Sequence, residues 1–182
     1  MIIMTPIGAL KISCSDKALR SITCITSKAK ISDKHNDSNL NSKRSNTEFY
    51  NTNVDILDKH RKSSSAEELE KRVAIWVKSY FANTSIDFPT DIPLDPDGTE
   101  FQKQVWEELR KIPYGETKTY GEIAKRIGKP GSARAVGNAC GKNHILLAIP
   151  CHRVVGSSGI GGFALGLATK RKLLAIEGRL NL

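Results

Sequence analysis

Between residues 27 and 65 the chain runs through serine, asparagine, lysine and aspartate, with only scattered apolar residues such as Phe49, Tyr50, Val54, Ile56 and Leu57. A stretch of this composition cannot bury enough apolar surface to offset the entropy of ordering it. It reads as a polar, poorly ordered insertion, with at most one short strand near Val54 and Leu57. Any fold must therefore be assembled from the two flanking parts.

Those parts suffice for a core. The chain has 182 residues, 39% hydrophobic and 26% charged. That is ordinary globular composition, and it excludes a collagen, a wholly disordered chain and a disulfide-rich mini-protein. No apolar run approaches the ~20 residues of a membrane helix. The opening Met1-Ile2-Ile3-Met4-Thr5-Pro6 has neither the basic flank nor the apolar stretch of a secretory signal. The expected compartment is the cytoplasm, or the nucleus if the source is eukaryotic.

Charge is unevenly placed. From residue 99 to the end there are 14 Lys/Arg and 6 Asp/Glu, so +8 of the total +9 lies in the C-terminal half. A basic half beside a neutral one suggests a polyanionic partner, nucleic acid first; solubility alone is the blander explanation.

Residues 8–25 read as two short strands. Leu10, Ile12 and Cys14 alternate with polar neighbours, Leu19, Ile22 and Cys24 less regularly, and Ser15-Asp16-Lys17 is turn-like. Ser65-Ala66-Glu67-Glu68 has a capping-box pattern, after which Leu69, Val73, Trp76, Val77 and Tyr80 mark one face of a helix to about Asn83. Pro89, Pro93 and Pro96 make 86–98 an extended linker.

Two further capping boxes follow, Thr99-Glu100-Phe101-Gln102 and Thr119-Tyr120-Gly121-Glu122. The first opens a helix with Phe101, Val105, Leu109 and Ile112 inward, ended by Pro113-Tyr114-Gly115. The second helix runs to Ile127. A tight turn, Gly128-Lys129-Pro130-Gly131, leads to Ser132, which is expected to cap a third helix from Ala133 to about Lys142. Helix, glycine turn and small-residue helix form a helix-turn-helix outline. Ala133, Ala135, Gly137 and Ala139 allow close approach to another surface, or simply tight helix packing.

The expected fold is α/β (α+β). A small sheet-plus-helix domain occupies 1–85, a linker 86–98, and a mainly helical domain 99–182 holds the helix-turn-helix and a short strand and turn.

The cysteines are Cys14, Cys24, Cys140 and Cys151, with no CxxC pair. Cys14 and Cys24 match no compact zinc site with His35 or His60, and read as small buried residues. No metal is expected. Cys151 differs. The apolar run 145–149 reads as a buried strand, and Pro150-Cys151-His152-Arg153-Val154 follows it directly. Pro150 fixes the exit of the chain, so Cys151 sits at a rigid edge. His152 is adjacent, and Glu177, ending the apolar run of Leu173, Leu174 and Ile176, is a candidate to hold it. Such a Cys–His–Glu relay would lower the effective pKa of the thiol and make it nucleophilic. Inert core filler is the alternative.

The Pro-Cys-His-Arg-Val string resembles the active-site motif of the O6-alkylguanine-DNA alkyltransferases, or methylated-DNA–protein-cysteine methyltransferases. Gly98-Thr99-Glu100-Phe101-Gln102, Val105-Trp106, Ile112-Pro113-Tyr114-Gly115-Glu116-Thr117, Tyr120-Gly121-Glu122-Ile123-Ala124, Gly128-Lys129-Pro130, Arg134-Ala135-Val136-Gly137 and the closing Lys172-Leu173-Leu174 to Glu177-Gly178 are also similar, in family order. A weaker likeness covers Thr5-Pro6-Ile7-Gly8 and the Trp76 helix.

The resemblance implies a single-use DNA repair protein. Cys151 would take a methyl or small alkyl group from O6 of guanine in duplex DNA, with O4 of thymine a further candidate, and needs no cofactor. His152 would accept the thiol proton through water, Glu177 would orient it, and Asn143 would bridge the helix-turn-helix to the active-site turn. The base must be flipped out. Arg134 would fill the vacated stack, and Tyr120 would swing the nucleotide and protonate N3 of the leaving guanine. Ser132, Ala133, Gly137 and Lys142 would contact the DNA in its minor groove with low sequence specificity, and Lys125, Arg126 and Lys129 are candidate phosphate ligands. Val154, Ser157, Ser158, Gly159 and Phe163 would form the base pocket. A monomer suffices. His144 stands where a proline is usual and Phe163 where a tyrosine is usual, so one pocket wall is apolar.

Two other classes compete: a DNA-binding regulator with a structural or redox-sensing Cys151, and a small-substrate cysteine hydrolase. His152, Asn143 and Glu177 together discriminate against the first, and the basic balance against the second.

Overall fold

The computed structural model describes residues 1–25, 64–84 and 87–179. The expected insertion lies, but for its last two residues, outside them. The stretches Met1–Thr26 and Ser63–Leu182 form one compact unit.

Three antiparallel strands, β1 (Ile2–Thr5), β2 (Gly8–Cys14) and β3 (Leu19–Ile25), form a sheet in that order. The sequence reading gave β2 and β3 and missed β1, whose Ile2-Ile3-Met4 run shows no alternation. Thr5 closes the β1–β2 turn, its hydroxyl donating to the Gly8 carbonyl at 2.6 Å. Cys14 and Cys24 are half-buried, not buried as expected, and pack against the core from its outside. The helix α1 (Ser65–Phe81) lays Leu69, Val73, Trp76, Val77 and Tyr80 into the core against β2. Its N-cap is Ser64, one residue before the expected box, and the Ser64 hydroxyl accepts the Glu67 N–H.

The free edge of β3 is covered by later chain. Leu19 exchanges backbone hydrogen bonds with Pro93 and Asp95, and Ile22 with His144 and Leu146, all at 2.9–3.0 Å. The two expected domains thus share one core, in which Leu10, Ile22, Tyr80, Trp106 and Ile145 are all members.

The helices α2 (Glu100–Arg110) and α3 (Tyr120–Arg126) both start with complete capping boxes, Thr99 with Gln102 and Thr119 with Glu122. Each box satisfies two orphan N–H groups and fixes where its helix begins. Gly128 takes φ +70, open to glycine without strain, and turns the chain into α4 (Ala133–Gly141). Ser132 holds the N-cap position but does not cap. Its ψ of 24° is outside the extended region, and its hydroxyl donates to Lys129 at 2.6 Å instead. Trp106 of α2 donates its indole N–H to Ala139 at 2.9 Å and pins α4 in place.

Residues 145–149 are buried but form no strand, against expectation. Ala148 and Ile149 fold back by N–H bonds to Leu146 and Ile145, and Leu147 takes φ +68. A short 3-10 turn (Cys151–Arg153) follows, then β5 (Val154–Val155), which pairs in parallel with β4 (Lys118–Thr119) just before α3. The helix α5 (Leu167–Ile176) closes the unit. Among the described residues no helix is long and apolar enough to cross a membrane.

Candidate active site

Cys151 opens the 3-10 turn and is 5% exposed. Its position is set by Asn143, the second residue beyond α4. The Asn143 amide donates to the Ile149 carbonyl at 2.8 Å and to Cys151 Sγ at 3.1 Å, while its oxygen accepts the Ile145 N–H at 2.9 Å. One buried side chain thus closes the turn from both ends and aims a donor at the sulfur.

The next two side chains of the turn, His152 and Arg153, meet Glu177, the C-cap of α5. His152 Nε2 lies 2.8 Å from Glu177 Oε1. Arg153 Nε donates to both carboxylate oxygens, at 3.2 and 3.0 Å, and its Nη2 donates to Oε1 at 3.2 Å. Tyr80 donates to Oε1 at 2.7 Å, and the Gly115 N–H to Oε2 at 3.1 Å. Nη1 of Arg153 continues to the Ile112 carbonyl at 2.5 Å and to Asp87 at 3.0 Å.

Burial by itself would raise the Glu177 pKa, but the His152 hydrogen bond and the Arg153 guanidinium overcome it and bring the carboxyl down to about 2. Burial pushes His152 down, against the pull of Glu177. The imidazole is therefore neutral beside an ionised carboxylate. A carboxylate only accepts, so the proton sits on Nε2 and Nδ1 carries the free lone pair.

Burial also pushes the Cys151 thiol up, against the Asn143 hydrogen bond and the Lys170 charge. This departs from the expected lowered pKa. Among the described residues no hydrogen bond joins the thiol to the imidazole directly. The resting pair is a thiol and a neutral imidazole, and the proton must leave as the sulfur reacts.

A cavity of about 510 Å³ opens beside the sulfur, lined by Cys151, by Ala133, Arg134, Gly137, Asn138 and Cys140 of α4, by Tyr120, and by Phe163 with its neighbours. The helix-turn-helix and the thiol therefore share one opening. Gly137 faces the Tyr120 ring, and a Cβ there would stand 3.7 Å from it, in ordinary contact. The Tyr120 hydroxyl donates to the Gly162 carbonyl at 3.3 Å, and burial raises its pKa, so the phenol stays protonated.

Several expected residues lie elsewhere. Val154, paired with Lys118, is fully buried and outside the cavity lining. Ser157, Ser158 and Gly159 are exposed at the tip of a loop folded on itself by the Gly156 N–H to Gly159 bond, outside the lining. Ser132 and Lys142 flank α4 outside the lining too. Of the candidate phosphate ligands, Arg126 pairs with Glu108 at 3.3 Å, and Lys129 lies 5.1 Å from the Phe101 ring centre. A larger groove, about 680 Å³ between the linker and α2, does not reach the thiol.

Tyr80, Arg153, Cys140 and Lys170 carry site contacts that sequence reasoning did not assign. A tyrosine ending an apolar helix face was the available signal for Tyr80, since its hydroxyl must find a partner when buried. Cys140 stands three residues after Gly137 on the same face of α4.

Residues 100–179 match the family model for the 6-O-methylguanine DNA methyltransferase DNA binding domain. A methylated-DNA–protein-cysteine methyltransferase from Methanosarcina acetivorans is 50% identical over 113 residues, which are 62% of this chain and 71% of the relative. One from Mycolicibacterium paratuberculosis is 55% identical over 102 residues, 56% of this chain and 61% of the relative. The crystal structure of Mycobacterium tuberculosis OGT in complex with DNA superposes with a TM-score of 0.70 at 34% identity, covering 97% of this chain and 90% of that one. The chain belongs to the methylated-DNA–protein-cysteine methyltransferase family.

Proposed function

We propose that the protein repairs DNA by moving a methyl or small alkyl group from O6 of guanine in duplex DNA to the sulfur of Cys151, once per molecule. The observation that carries this reading is the shared cavity: a buried thiol at its floor and a helix-turn-helix helix along its side. A thiol meant only to fill the core would have no opening toward the DNA-binding helix.

The α3–α4 pair docks along the minor groove, with phosphate contacts supplying much of the affinity and a matching salt dependence. The alkylated base leaves the stack and enters the cavity. Arg134, exposed on the first turn of α4 at the cavity rim, takes the vacated place, where its planar guanidinium stacks and hydrogen-bonds the orphaned partner base. Sγ attacks the alkyl carbon in line. The C–S bond forms, the C–O6 bond breaks, and its electron pair stays on the guanine.

The thiol proton passes to the free Nδ1 of His152 through an intervening water. The resulting imidazolium is stabilised by Glu177, which Arg153 keeps ionised. Tyr120 donates a proton to N3 of the departing base. Thiol, alkyl donor and the two proton carriers balance the reaction. The thioether is stable, so the molecule does not turn over. The site of action is the compartment that holds the DNA.

The test uses duplex DNA bearing one O6-[methyl-³H]guanine. Radiolabel should pass to the wild-type protein and not to Cys151→Ser. Label that stays on the DNA with the wild type would refute the reading.

A further inference from the structure

Cys140 has no part in the transfer chemistry above, yet it is the second thiol at the cavity. Cys140 and Cys151 both border it, while Cys14 and Cys24 lie on the three-stranded sheet outside its lining. Cys140 stands in the last turn of α4 and is 9% exposed. Asn143 ties it to the nucleophile: its N–H donates to the Cys140 carbonyl at 3.2 Å, and its side-chain amide donates to Cys151 Sγ at 3.1 Å. The two sulfurs also share one electrostatic neighbourhood. Burial, and after it the charge of a Cys151 thiolate, holds the Cys140 thiol up at about 12. Burial, and after it a charge on either sulfur, raises the Tyr120 phenol.

A thiol beside a nucleophilic sulfur has a chemistry that an alanine in its place would lack. Peroxide converts a cysteine to its sulfenic acid, and further peroxide takes that irreversibly to the sulfinic acid unless a neighbouring thiol condenses with it first. The cavity opens beside Cys151 and admits a molecule as small as hydrogen peroxide. Cys140 is the thiol in place to condense.

We propose that Cys140 is a resolving thiol for Cys151: hydrogen peroxide oxidises Cys151 to the sulfenic acid, and Cys140 closes on it to form a Cys140–Cys151 disulfide that a thiol reductant reopens. In the first step the Cys151 sulfur gives two electrons to the peroxide O–O bond, keeps one oxygen as S–OH, and the other leaves as water. In the second, Cys140 Sγ attacks Cys151 Sγ, the S–O bond breaks, and the hydroxyl leaves as water with the Cys140 proton. A dithiol such as dithiothreitol returns two electrons and two protons and restores both thiols. The bridge takes Sγ away from Asn143 and ties the thiol's turn to α4, so the oxidised form holds no nucleophile. Only a thiolate attacks, so closure is slow at neutral pH and quickens as the pH rises toward the Cys140 value of about 12. The bridge requires the two Cα atoms to come within about 7 Å. It needs only the two thiols and does not rest on the alkyl-transfer reading.

The experiment treats the intact reduced protein with hydrogen peroxide, blocks remaining thiols with iodoacetamide and digests it without reductant. Lys142 separates the two cysteines, so trypsin leaves them on different peptides. Mass spectrometry should find these two peptides joined, lighter by two hydrogens than their sum, and more of the joined species at pH 9 than at pH 7. Dithiothreitol added after the peroxide should return most of Cys151 to an iodoacetamide-reactive thiol in the wild type. In Cys140→Ser that recovery, taken relative to the variant's own unoxidised protein, should fall several-fold, with sulfinic acid accumulating at Cys151. Cys140→Ala decides the matter if Cys140→Ser does not fold. No joined peptide, a bridge from Cys151 to Cys14, Cys24 or a second molecule instead, or equal recovery in the folded variant would overturn the assignment. None of these readouts uses an alkyl donor, so the outcome stands or falls apart from the transfer reaction.

Discussion

Asn143 donates to Cys151 Sγ at 3.1 Å with the same amide group that holds the Ile149 carbonyl at 2.8 Å. The nucleophile and the turn that presents it are thus controlled by one side chain. Asn143→Ala strands the Ile145 N–H in the core, a loss of about 1–3 kcal/mol, while the Ile149 carbonyl keeps the Cys151 N–H. Its urea midpoint should fall accordingly, and single-turnover transfer should slow. Asn143→Asp keeps the bond to Ile145 but sets a negative charge against the sulfur, so transfer should be slower still. A variant with wild-type rate would separate the turn from the chemistry.

Leu147 offers a sharper test of the turn itself. It is buried with φ +68, a left-handed conformation that costs a non-glycine residue about 1 kcal/mol. Leu147→Ala and Leu147→Gly both lose the side chain, but only glycine relieves the backbone. Leu147→Gly should be the more stable of the two by about 1 kcal/mol in urea titration, the reverse of the usual order. The usual order would mean that the turn is not strained.

Arg134 is exposed at the rim of the cavity, away from the sulfur's own hydrogen bonds. Only a duplex requires flipping. Arg134→Ala should cut repair of O6-methylguanine in duplex DNA by about tenfold or more, the loss of roughly 1.4 kcal/mol or above in transition-state binding. Its reaction with free O6-benzylguanine should barely change. Equal losses on both substrates would remove Arg134 from the flipping step.

Acid should weaken the fold in a defined window. The Glu177 carboxyl lies at about 2 against an ordinary 4.5. Its stabilisation is complete above pH 4.5 and is lost as pH falls toward about 2, because only the unfolded chain takes up the proton on the way. His152 is also displaced downward, from 6.5, and adds a loss of the same sign that begins near its unfolded value. The urea midpoint should therefore decline from pH 7 to pH 3. In Glu177→Gln, less stable throughout because Arg153 loses its main partner, the decline below pH 4.5 should flatten. A parallel decline in both proteins would place the acid sensitivity elsewhere.

What could be read before the structure follows physical rules that act locally. Thr99 and Thr119 announce helix starts because capping boxes are made by residues three apart. Leu69, Val73 and Trp76 announce a buried face by their spacing. The run 145–149 misled because five apolar residues fit a buried strand and a buried turn equally well, and a leucine gives no sign of positive φ. Tyr80 read as core, which it is, but its partner Glu177 lies 97 residues away. Nothing in the sequence marks Lys170, since only tertiary depth distinguishes a solvated lysine from a buried one. Ser157, Ser158 and Gly159 came from family likeness alone and stand at the exposed loop tip.

The central claim is that Cys151 accepts the alkyl group irreversibly. Intact-mass spectrometry after incubation with excess duplex DNA containing one O6-methylguanine tests it most directly. The account predicts one added methyl per protein molecule, mapped to Cys151, matched one for one by repaired DNA, and absent in Cys151→Ser. Unchanged mass despite lesion-selective binding, or repair continuing beyond one event per molecule, would contradict it.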